Sequence, residues 1–351
     1  MHVCFLAQDK NLLPNKIKLQ KKSFFGTICT IFVCLVLNML SFLPGPLLFI
    51  INFILIVINT VIIATPILIL ALLRVLLPFK PTIKLIEKLN LFLYGIWVHN
   101  NSLTIALTNK IDWQVNSQNI TKIKNSCIII CNHQSWADIV MICHIFKGKI
   151  PITKFFLKHS LIYIPLIGLA CLGLGMPFLR RYSKQQLLKN PKLKNKDIES
   201  TNKACRRLIH APSTLVNFVE GTRYTKEKAD AVKSPYRHLM PPKAASLGIA
   251  LGQIGKDIDV LFNTTLRYPD NEESPFIDML KGKLKTVYAN VEPIKVTDEI
   301  IGDYLGNKQF KHSFTLWLRE LWERKDEELD EMYKKREQKM PAEKLTGGKN
   351  N

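Results

Sequence analysis

The sequence predicts an α/β domain with a mostly parallel sheet flanked by helices, preceded by an N-terminal hydrophobic helical hairpin in a membrane. Two observations support this prediction. From residue 102 onward, short apolar runs of strand type alternate with helix-length patterns, which is typical of a parallel sheet covered on both faces. Earlier in the chain, the 51 positions from 23 to 73 contain no charged residue.

The uncharged stretch is divided by residues 43–46, a Leu-Pro-Gly-Pro sequence that is typical of a turn. Its two parts, residues 23–43 and 47–73, hold 21 and 27 residues, and a membrane-spanning helix needs roughly 20. Basic residues flank both ends, so the positive-inside rule predicts that both ends face the cytoplasm. A hairpin that lies within one leaflet fits the same pattern.

The strand candidates are five apolar runs, at residues 102–109, 126–131, 214–220, 259–268 and 284–294. Helices are predicted over residues 136–146, 197–209 and 242–254, with an amphipathic connecting helix over residues 78–98. From residue 318, nine basic and nine acidic side chains predict a solvent-exposed helix and a disordered tail. The predicted domains are therefore a membrane hairpin (1–77), an α/β domain (78–317) and a charged C-terminal helix with its tail (318–351).

The net charge of +21 is unevenly distributed along the chain. Residues 178–210 hold ten basic and two acidic side chains, as expected for a surface that binds anionic lipid or a phosphorylated cofactor, or for a solvated loop. Nucleic acid is the least favoured partner, because no recognition motif accompanies the charge. The eight cysteines lack a disulfide-like spacing, and no His/Cys cluster has metal-site spacing, so no metal is expected.

A buried strand ends in chemistry-bearing residues at CIIICNHQSWADIV, residues 127–140, where Asn132 and His133 are followed by Asp138. Five helical residues rotate about 140° beyond one full turn, so one regular helix would separate His133 from Asp138. The two meet if His133 lies in the turn after the strand and Asp138 begins the next helix. Asp138 could then hold the tautomer of a general base, His133. At this spacing alone, a His and an Asp that are each hydrogen-bonded to separate backbone groups are the more common arrangement.

Three further stretches favour the catalytic interpretation. The strand before Glu220 leads into Gly221, Thr222 and Arg223, which offer close backbone approach, a hydroxyl and a fork of donors suited to phosphate. A strongly apolar stretch, residues 152–181, is bounded by basic residues, namely Lys154, Lys158, Arg180 and Arg181. The strand candidate at 259–268 ends in Arg267 and Tyr268 and is followed directly by Pro269.

The order of these motifs resembles the glycerolipid acyltransferase family, the 1-acylglycerol-3-phosphate acyltransferases of PlsC type. NHxxxxD comes first, then the Lys…Pro…Gly…Phe…Arg stretch, then EGTR, then a strand that ends near proline. The resemblance covers residues 85–300. MPFLRRYS, NFVEGTRYT and SPYRHLMPPKAA look most similar to the YihG-like branch of bacterial inner-membrane members.

The resemblance implies the family's αβα fold and specific roles for the motif residues. His133 would be the catalytic base and Asp138 its orienting partner. The implied phosphate-binding residues are Glu220, Gly221, Thr222, Arg223 and Arg181, with Arg180 as the competing alignment for Arg181. The other motif positions are Asn132, Lys154 and Pro269. Val219 departs from the family's pattern, which commonly has proline there.

The implied reaction moves an acyl chain from a thioester, acyl-CoA or acyl carrier protein, to the free hydroxyl of a lysophospholipid. The simplest case converts 1-acylglycerol-3-phosphate to phosphatidic acid, with no cofactor besides the thioester co-substrate. The implied partners are the lipid acceptor, the acyl donor and an anionic membrane surface, at the cytoplasmic side of a bacterial inner membrane. Two alternatives stay open: another anionic lyso-lipid such as lysophosphatidylglycerol as acceptor, and a non-enzymatic membrane tether with a basic face.

Overall fold

Two long antiparallel helices precede the sheet. The computed structural model describes residues 39–117, 120–179, 189–190, 202, 205, 212–258 and 260–339. Helix α1 (Gly45–Leu76) and helix α2 (Lys80–Thr108) are joined by three residues. Polar side chains link them in antiparallel order, because Asn52 donates to the Thr108 hydroxyl at 3.2 Å and the Trp97 indole donates to Thr60 at 3.2 Å.

Helix α1 corresponds to the second arm of the predicted hairpin. Among the described residues it is the one helix long and apolar enough to cross a membrane. Of the predicted first arm, residues 23–38 lie outside the described residues, and residues 39–43 form a turn. The orientation of a two-armed hairpin therefore stays a prediction.

The central sheet has six strands in the order β1-β8-β7-β2-β6-β3. Its strands are β1 (Asp112–Asn116), β2 (Cys127–Cys131), β3 (Thr153–Phe155), β6 (Thr214–Phe218), β7 (Val260–Arg267) and β8 (Thr286–Lys295). Every neighbouring pair is parallel except β7 and β8. The mostly parallel sheet predicted from the apolar runs is confirmed, and β2 is buried at all five positions, as a central parallel strand should be.

Helices cover both faces of this sheet. The shorter helices are α3 (Ala137–Ile145), α4 (Ile167–Gly173), α5 (Lys226–Ala231), α6 (Ala244–Ile254) and α7 (Pro275–Leu280), and the long helix α8 is Lys308–Lys339. Residues of α2 and α3 contribute to one hydrophobic core, and residues of α6 and α8 to the other. Two short strands, β4 (Leu157–Lys158) and β5 (Phe178–Leu179), form a separate pair beyond β3. Among the described residues, three 3₁₀ helices lie at His159–Tyr163, Gly255–Asp257 and Asp298–Ile300.

The strand predicted at residues 102–109 is wrong, because α2 continues unbroken to Thr108. The buried positions Val98 and Ile105 are seven residues apart, which is two helical turns on one face. Ser102 and Thr108 bond back to carbonyl groups four residues earlier, so their hydroxyls also fit a helix. A short apolar run does not distinguish strand from helix by periodicity alone.

Helix α8 differs from the predicted solvent-exposed helix, because one side of it is buried. It begins at Lys308, before the predicted boundary at 318, and inserts Phe314, Leu318, Trp322 and Leu329 into the core. Charged residues occupy most other positions, so the composition of the helix does not reveal this row of buried apolar residues. Of the predicted helix at 197–209, the structure describes residues 202 and 205, and both are helical. The tail from 340 falls outside the described residues, and the three-domain division stays a prediction.

Candidate active site

The end of strand β2 is joined to strand β7 by the side chain of Asn132. Its amide nitrogen donates to the Leu266 carbonyl at 2.8 Å, and its amide oxygen accepts from the Leu266 N–H at 2.9 Å. The side chain therefore bridges the two strands beyond their last paired residues, Cys131 and Thr264. This fixes where His133 leaves the sheet.

His133 and Asp138 meet in the arrangement that the spacing suggested, with the histidine in the turn and the carboxylate in the first turn of α3. His133 Nδ1 and Asp138 Oδ2 are 2.8 Å apart. The same oxygen accepts from the backbone N–H groups of Gln134 at 2.7 Å and Ser135 at 3.0 Å. Asp138 is completely buried, so these bonds and the N-terminus of α3 replace the water that it has lost.

The imidazole of His133 is oriented by two contacts. Asp138 occupies Nδ1, so Nε2 is the nitrogen that remains to accept a proton from a substrate. The ring stacks on Phe218 at the end of β6, with centroids 4.1 Å apart, and Phe218 in turn stacks near Phe155 at the end of β3. The His133 side chain is 18% exposed, which leaves it reachable from solvent.

Glu220 faces backbone amides. One carboxyl oxygen accepts from the His133 N–H at 3.1 Å, and the other accepts from the Met240 N–H at 3.3 Å. The residue is fully buried, and burial raises the pKa of its carboxyl to about 8. Glu220 therefore joins three chain segments and holds the backbone of His133.

The next three residues turn toward the surface. Gly221 has φ +67°, a conformation that glycine adopts without strain, and a Cβ there would lie 3.1 Å from Lys243 Nζ. Thr222 is half-buried and Arg223 is exposed. The Arg223 guanidinium lies 5.1 Å from the ring centroid of Trp136, which holds the cation over the turn that carries His133.

The remaining predicted site residues have different locations. Arg180 and Arg181 lie outside the described residues. Lys154 is buried in the middle of β3, and desolvation, helped by nearby Arg74, lowers the pKa of its amine to about 8. Pro269 is half-buried, two residues after the end of β7.

Strand β7 leads into two further residues of the site, Arg267 and Tyr268, which the sequence placed with Pro269 at a strand end but to which it gave no role. Tyr268 is buried and donates its hydroxyl to Asp138 Oδ1 at 2.8 Å. Arg267 is also buried and donates to the Gln134 side chain at 2.7 Å and to the Tyr333 hydroxyl of α8 at 2.7 Å. Their position beside Pro269, at the end of a strand, was the signal available in the sequence.

A large cavity has neither His133 nor Asp138 in its lining. It has a volume of about 1290 Å³ and is lined mainly by α1, α2, the segment from α3 into β3, and α4. Lys154 and the Arg74–Glu87 ion pair contribute to its wall, whereas His133 does not. Within the described ranges, no group of three or more His, Cys, Asp and Glu side chains is arranged to hold a metal ion.

Fold and site together define an α/β protein whose histidine–carboxylate pair lies at the carboxyl end of a central parallel strand. Residues 113–260 match the family model described as Acyltransferase. The chain therefore contains a domain of the Acyltransferase family, which agrees with the motif order NHxxxxD and EGTR. The narrower YihG-like assignment stays a prediction.

Several relatives share this domain. An acyltransferase of Saccharomyces cerevisiae, described as uncharacterized, is 27% identical over 248 residues, which are 62% of this chain and 61% of that protein. The 1-acyl-sn-glycerol-3-phosphate acyltransferase of the same yeast is 34% identical over 130 residues, 37% of each chain. The delta form of this acyltransferase from Mus musculus is 23% identical over 224 residues, 60% of this chain and 54% of its own. The matched region thus spans about three fifths of the first relative's own length and about half of the third relative's.

The fold also matches a solved structure. The crystal structure of the 1-acyl-sn-glycerophosphate acyltransferase PlsC from Thermotoga maritima superposes with a TM-score of 0.51 at 17% sequence identity. The match covers 82% of this chain and 96% of the bacterial one. This likeness confirms the predicted fold class, a mostly parallel sheet flanked by helices. A long apolar helix precedes the sheet, whereas the two-armed membrane hairpin stays a prediction.

Proposed function

We propose that this protein is a membrane-bound O-acyltransferase that moves an acyl chain from a thioester to the free hydroxyl of a lysophospholipid. One observation carries the proposal: His133 Nδ1 lies 2.8 Å from the buried carboxylate of Asp138, at the carboxyl end of a parallel strand in an Acyltransferase-family domain. The preferred acceptor is 1-acylglycerol-3-phosphate, which would yield phosphatidic acid. The names of the relatives support this choice.

The chemistry requires a base more than a nucleophile. A thioester is already an activated electrophile, whereas the acceptor alcohol holds its proton. His133 Nε2 takes that proton as the alcohol oxygen bonds to the thioester carbonyl carbon. The tetrahedral adduct then breaks its carbon–sulfur bond, and the leaving thiolate takes the proton back from the imidazolium. Asp138 stabilises that imidazolium, and no other co-reactant is needed.

In this proposal, arginine side chains bind the phosphate of the acceptor. Arg223 is exposed beside His133's turn and offers the bidentate fork that suits a phosphate. Arg181 remains the proposed second cation. We assign Glu220 to positioning the His133 backbone and not to binding phosphate. Its two carboxyl oxygens already accept from backbone N–H groups, and an ionised carboxylate would repel a phosphate.

The proposed location is a membrane, which the apolar helix α1 supports, and the proposed side of the catalytic domain is the cytoplasmic one, which the flanking basic residues support. The similar proteins come from yeast and mouse as well as a bacterium, so the bacterial inner membrane stays a prediction. The donor is acyl-CoA or acyl carrier protein, both anionic, and residues 178–210 are its proposed docking surface.

The test uses membranes that contain the full chain, labelled acyl-CoA and 1-acylglycerol-3-phosphate. His133→Ala should lower turnover by roughly 10²–10⁴-fold with an unchanged melting temperature, because the general base is lost. His312→Ala, an exposed histidine on α8, is the matched control and should keep full activity. Lysophosphatidylglycerol and acyl carrier protein are tested in parallel. Failure with every combination, or full turnover by His133→Ala, would overturn the proposal, the former in favour of a non-enzymatic tether.

A further inference from the structure

The segment between β4 and β5 carries an unusual surface. Residues 160–179 contain no charged side chain. Six of the ten residues from 163 to 172 are large hydrophobic residues that are exposed, namely Tyr163, Ile164, Leu166, Ile167, Leu169 and Leu172. Tyr163 is 77% exposed. A soluble surface rarely groups so many large apolar side chains, and such a patch marks an interaction site.

The opposite side of this segment packs on the candidate membrane helix. Ala170 of α4 is buried in a cluster with Ile63, Ala64 and Ile67 of α1. The two helices approach closely, since a Cβ at Gly173 would lie 2.9 Å from the Cβ of Ala71. The exposed apolar face of α4 is therefore continuous with the lipid-facing candidate surface of α1.

The backbone of the segment suits an apolar medium. Gly168, Ala170 and Leu174 donate to carbonyls four residues earlier, at 2.8–2.9 Å. Pro165, at the bend before α4, has no N–H to satisfy. Internal pairing of this kind is what a bilayer requires, because hydrocarbon offers no partner to a free amide. With seven residues, α4 is about 10 Å long, too short to cross a hydrocarbon core of roughly 30 Å.

We propose that residues 163–172 form a second membrane contact, which enters one leaflet beside α1. The occupant of this surface is a lipid bilayer, for two reasons: the face continues that of the candidate span, and the flanking residue Lys158 and the exposed Lys84 and Lys88 of α2 can meet anionic head groups. In this arrangement, the apolar residues 163–172 insert among the acyl chains, and Lys84, Lys88 and Lys158 lie at the level of the head groups.

The role of this membrane contact rests on the proposed function, because the contact would bring the lipid acceptor near His133. The segment leaves the carboxyl end of β3, whose Phe155 ring stacks near Phe218, and Phe218 stacks on His133. A leaflet at residues 163–172 therefore lies on the β3 side of the imidazole. A lipid acceptor could reach His133 from there without leaving the interface.

Photolabelling of the unmodified full chain tests the contact without depending on activity. The protein is reconstituted into phosphatidylcholine vesicles with one-third phosphatidylglycerol and a trace of phosphatidylcholine carrying a diazirine in its acyl chain. After irradiation, mass spectrometry measures lipid adducts in each peptide. Peptides of α1 are the positive control. Leu305 and Leu316, exposed at 48% and 43% among residues of the opposite core, are the matched negative control for Leu172 at 41%.

The expected yield on residues 163–172 is at least tenfold above that of the peptides with Leu305 and Leu316. Labelling of α1 alone, with residues 163–172 no higher than the negative control, would overturn the contact. Treatment of the same vesicles with a bifunctional cross-linker that joined two protein chains at these residues would overturn it too, in favour of a second copy as occupant. A catalytically inactive chain that still labels at 163–172 would refute the proposed function and leave the contact standing.

Discussion

Two turns meet beside His133, and they are built in opposite ways. The turn of residues 132–138 is held by side-chain and backbone bonds to β7, to α3 and to itself, and its carboxylate is completely buried. The turn of residues 220–223 buries only Glu220 and then exposes Arg223. Under the proposed function, the difference separates two tasks: a rigid turn suits proton transfer, which needs fixed geometry, and an exposed cation suits a head group that arrives from solution or membrane.

The largest effect should come from breaking the rigid turn at Asp138. Asp138→Asn puts an amide group where Gln134 and Ser135 donate their N–H groups, so the side chain no longer holds His133 or stabilises its protonated form. Turnover should fall by roughly 10²-fold or more at saturating substrate. Thermal unfolding of the purified variant, run in parallel, separates misorientation from misfolding. A variant with parental turnover would contradict the Asp–His assignment.

A smaller effect is expected from the exposed turn. Arg223→Ala removes a charge-assisted contact, which is worth about 1.5–3 kcal/mol, so KM for the lysophospholipid should rise by at least about tenfold with little change in kcat. Arg223→Lys keeps the charge without the fork and should fall between. Lys226→Ala, an exposed cation three residues away, serves as the control. If kcat fell and KM stayed constant, Arg223 would belong with the rigid turn instead.

Tyr268→Phe tests whether the rigid turn depends on strand β7. Losing the hydroxyl that donates to Asp138 should lower kcat by roughly fivefold, equivalent to about 1 kcal/mol of lost orientation, and leave KM unchanged. Tyr288→Phe is the matched control, because Tyr288 donates to the Glu328 carboxylate at 2.7 Å away from His133. Both variants should lose stability, and only Tyr268→Phe should lose turnover. Equal kcat losses in the two would show that the effect is structural alone.

The subtlest effect concerns the pH dependence of stability at Glu220. Burial raises the folded-state pKa to about 8, above its ordinary value of 4.5, so the folded protein keeps a proton that the unfolded chain has released. This group therefore stabilises the fold most below pH 4.5, and that contribution is lost progressively as pH rises from 4.5 through 8. Glu220→Gln does not titrate, so its melting temperature relative to the parent should improve from pH 5 to pH 8. A constant difference across that range would contradict the assignment.

The sequence contained the parts of the site that are local along the chain. Asn132, His133 and Asp138 lie within seven residues, so a strand followed by a helix is enough to bring them together. The mostly parallel sheet was also predictable, because its buried strands are continuous apolar runs. The bond from Tyr268 to Asp138 spans 130 residues, and periodicity carries no information on such a pair.

The burial of Glu220 and of one side of helix α8 could not be predicted from the sequence, for related physical reasons. Acidic and basic residues are usually solvated, so a carboxyl that accepts two amide N–H groups in the core looks like a ligand residue in the sequence. Lys325 of α8 is another example, since it is buried and donates to the Thr264 carbonyl at 2.6 Å. Composition predicts average exposure, whereas tertiary packing decides which individual charges are buried.

Helix α8 also has a consequence for how the protein matures on the ribosome. Its Asp326 accepts from the backbone N–H groups of Arg237 and His238 at 2.8 Å, and its Tyr333 accepts from Arg267, which also holds Gln134. These partners belong to the loop before α6, to the end of strand β7 and to the turn after His133, yet all are translated before α8. During vectorial synthesis, the strands can assemble while those loops still lack their clamp. Catalytic competence should therefore arise late in translation, after α8 has left the exit tunnel.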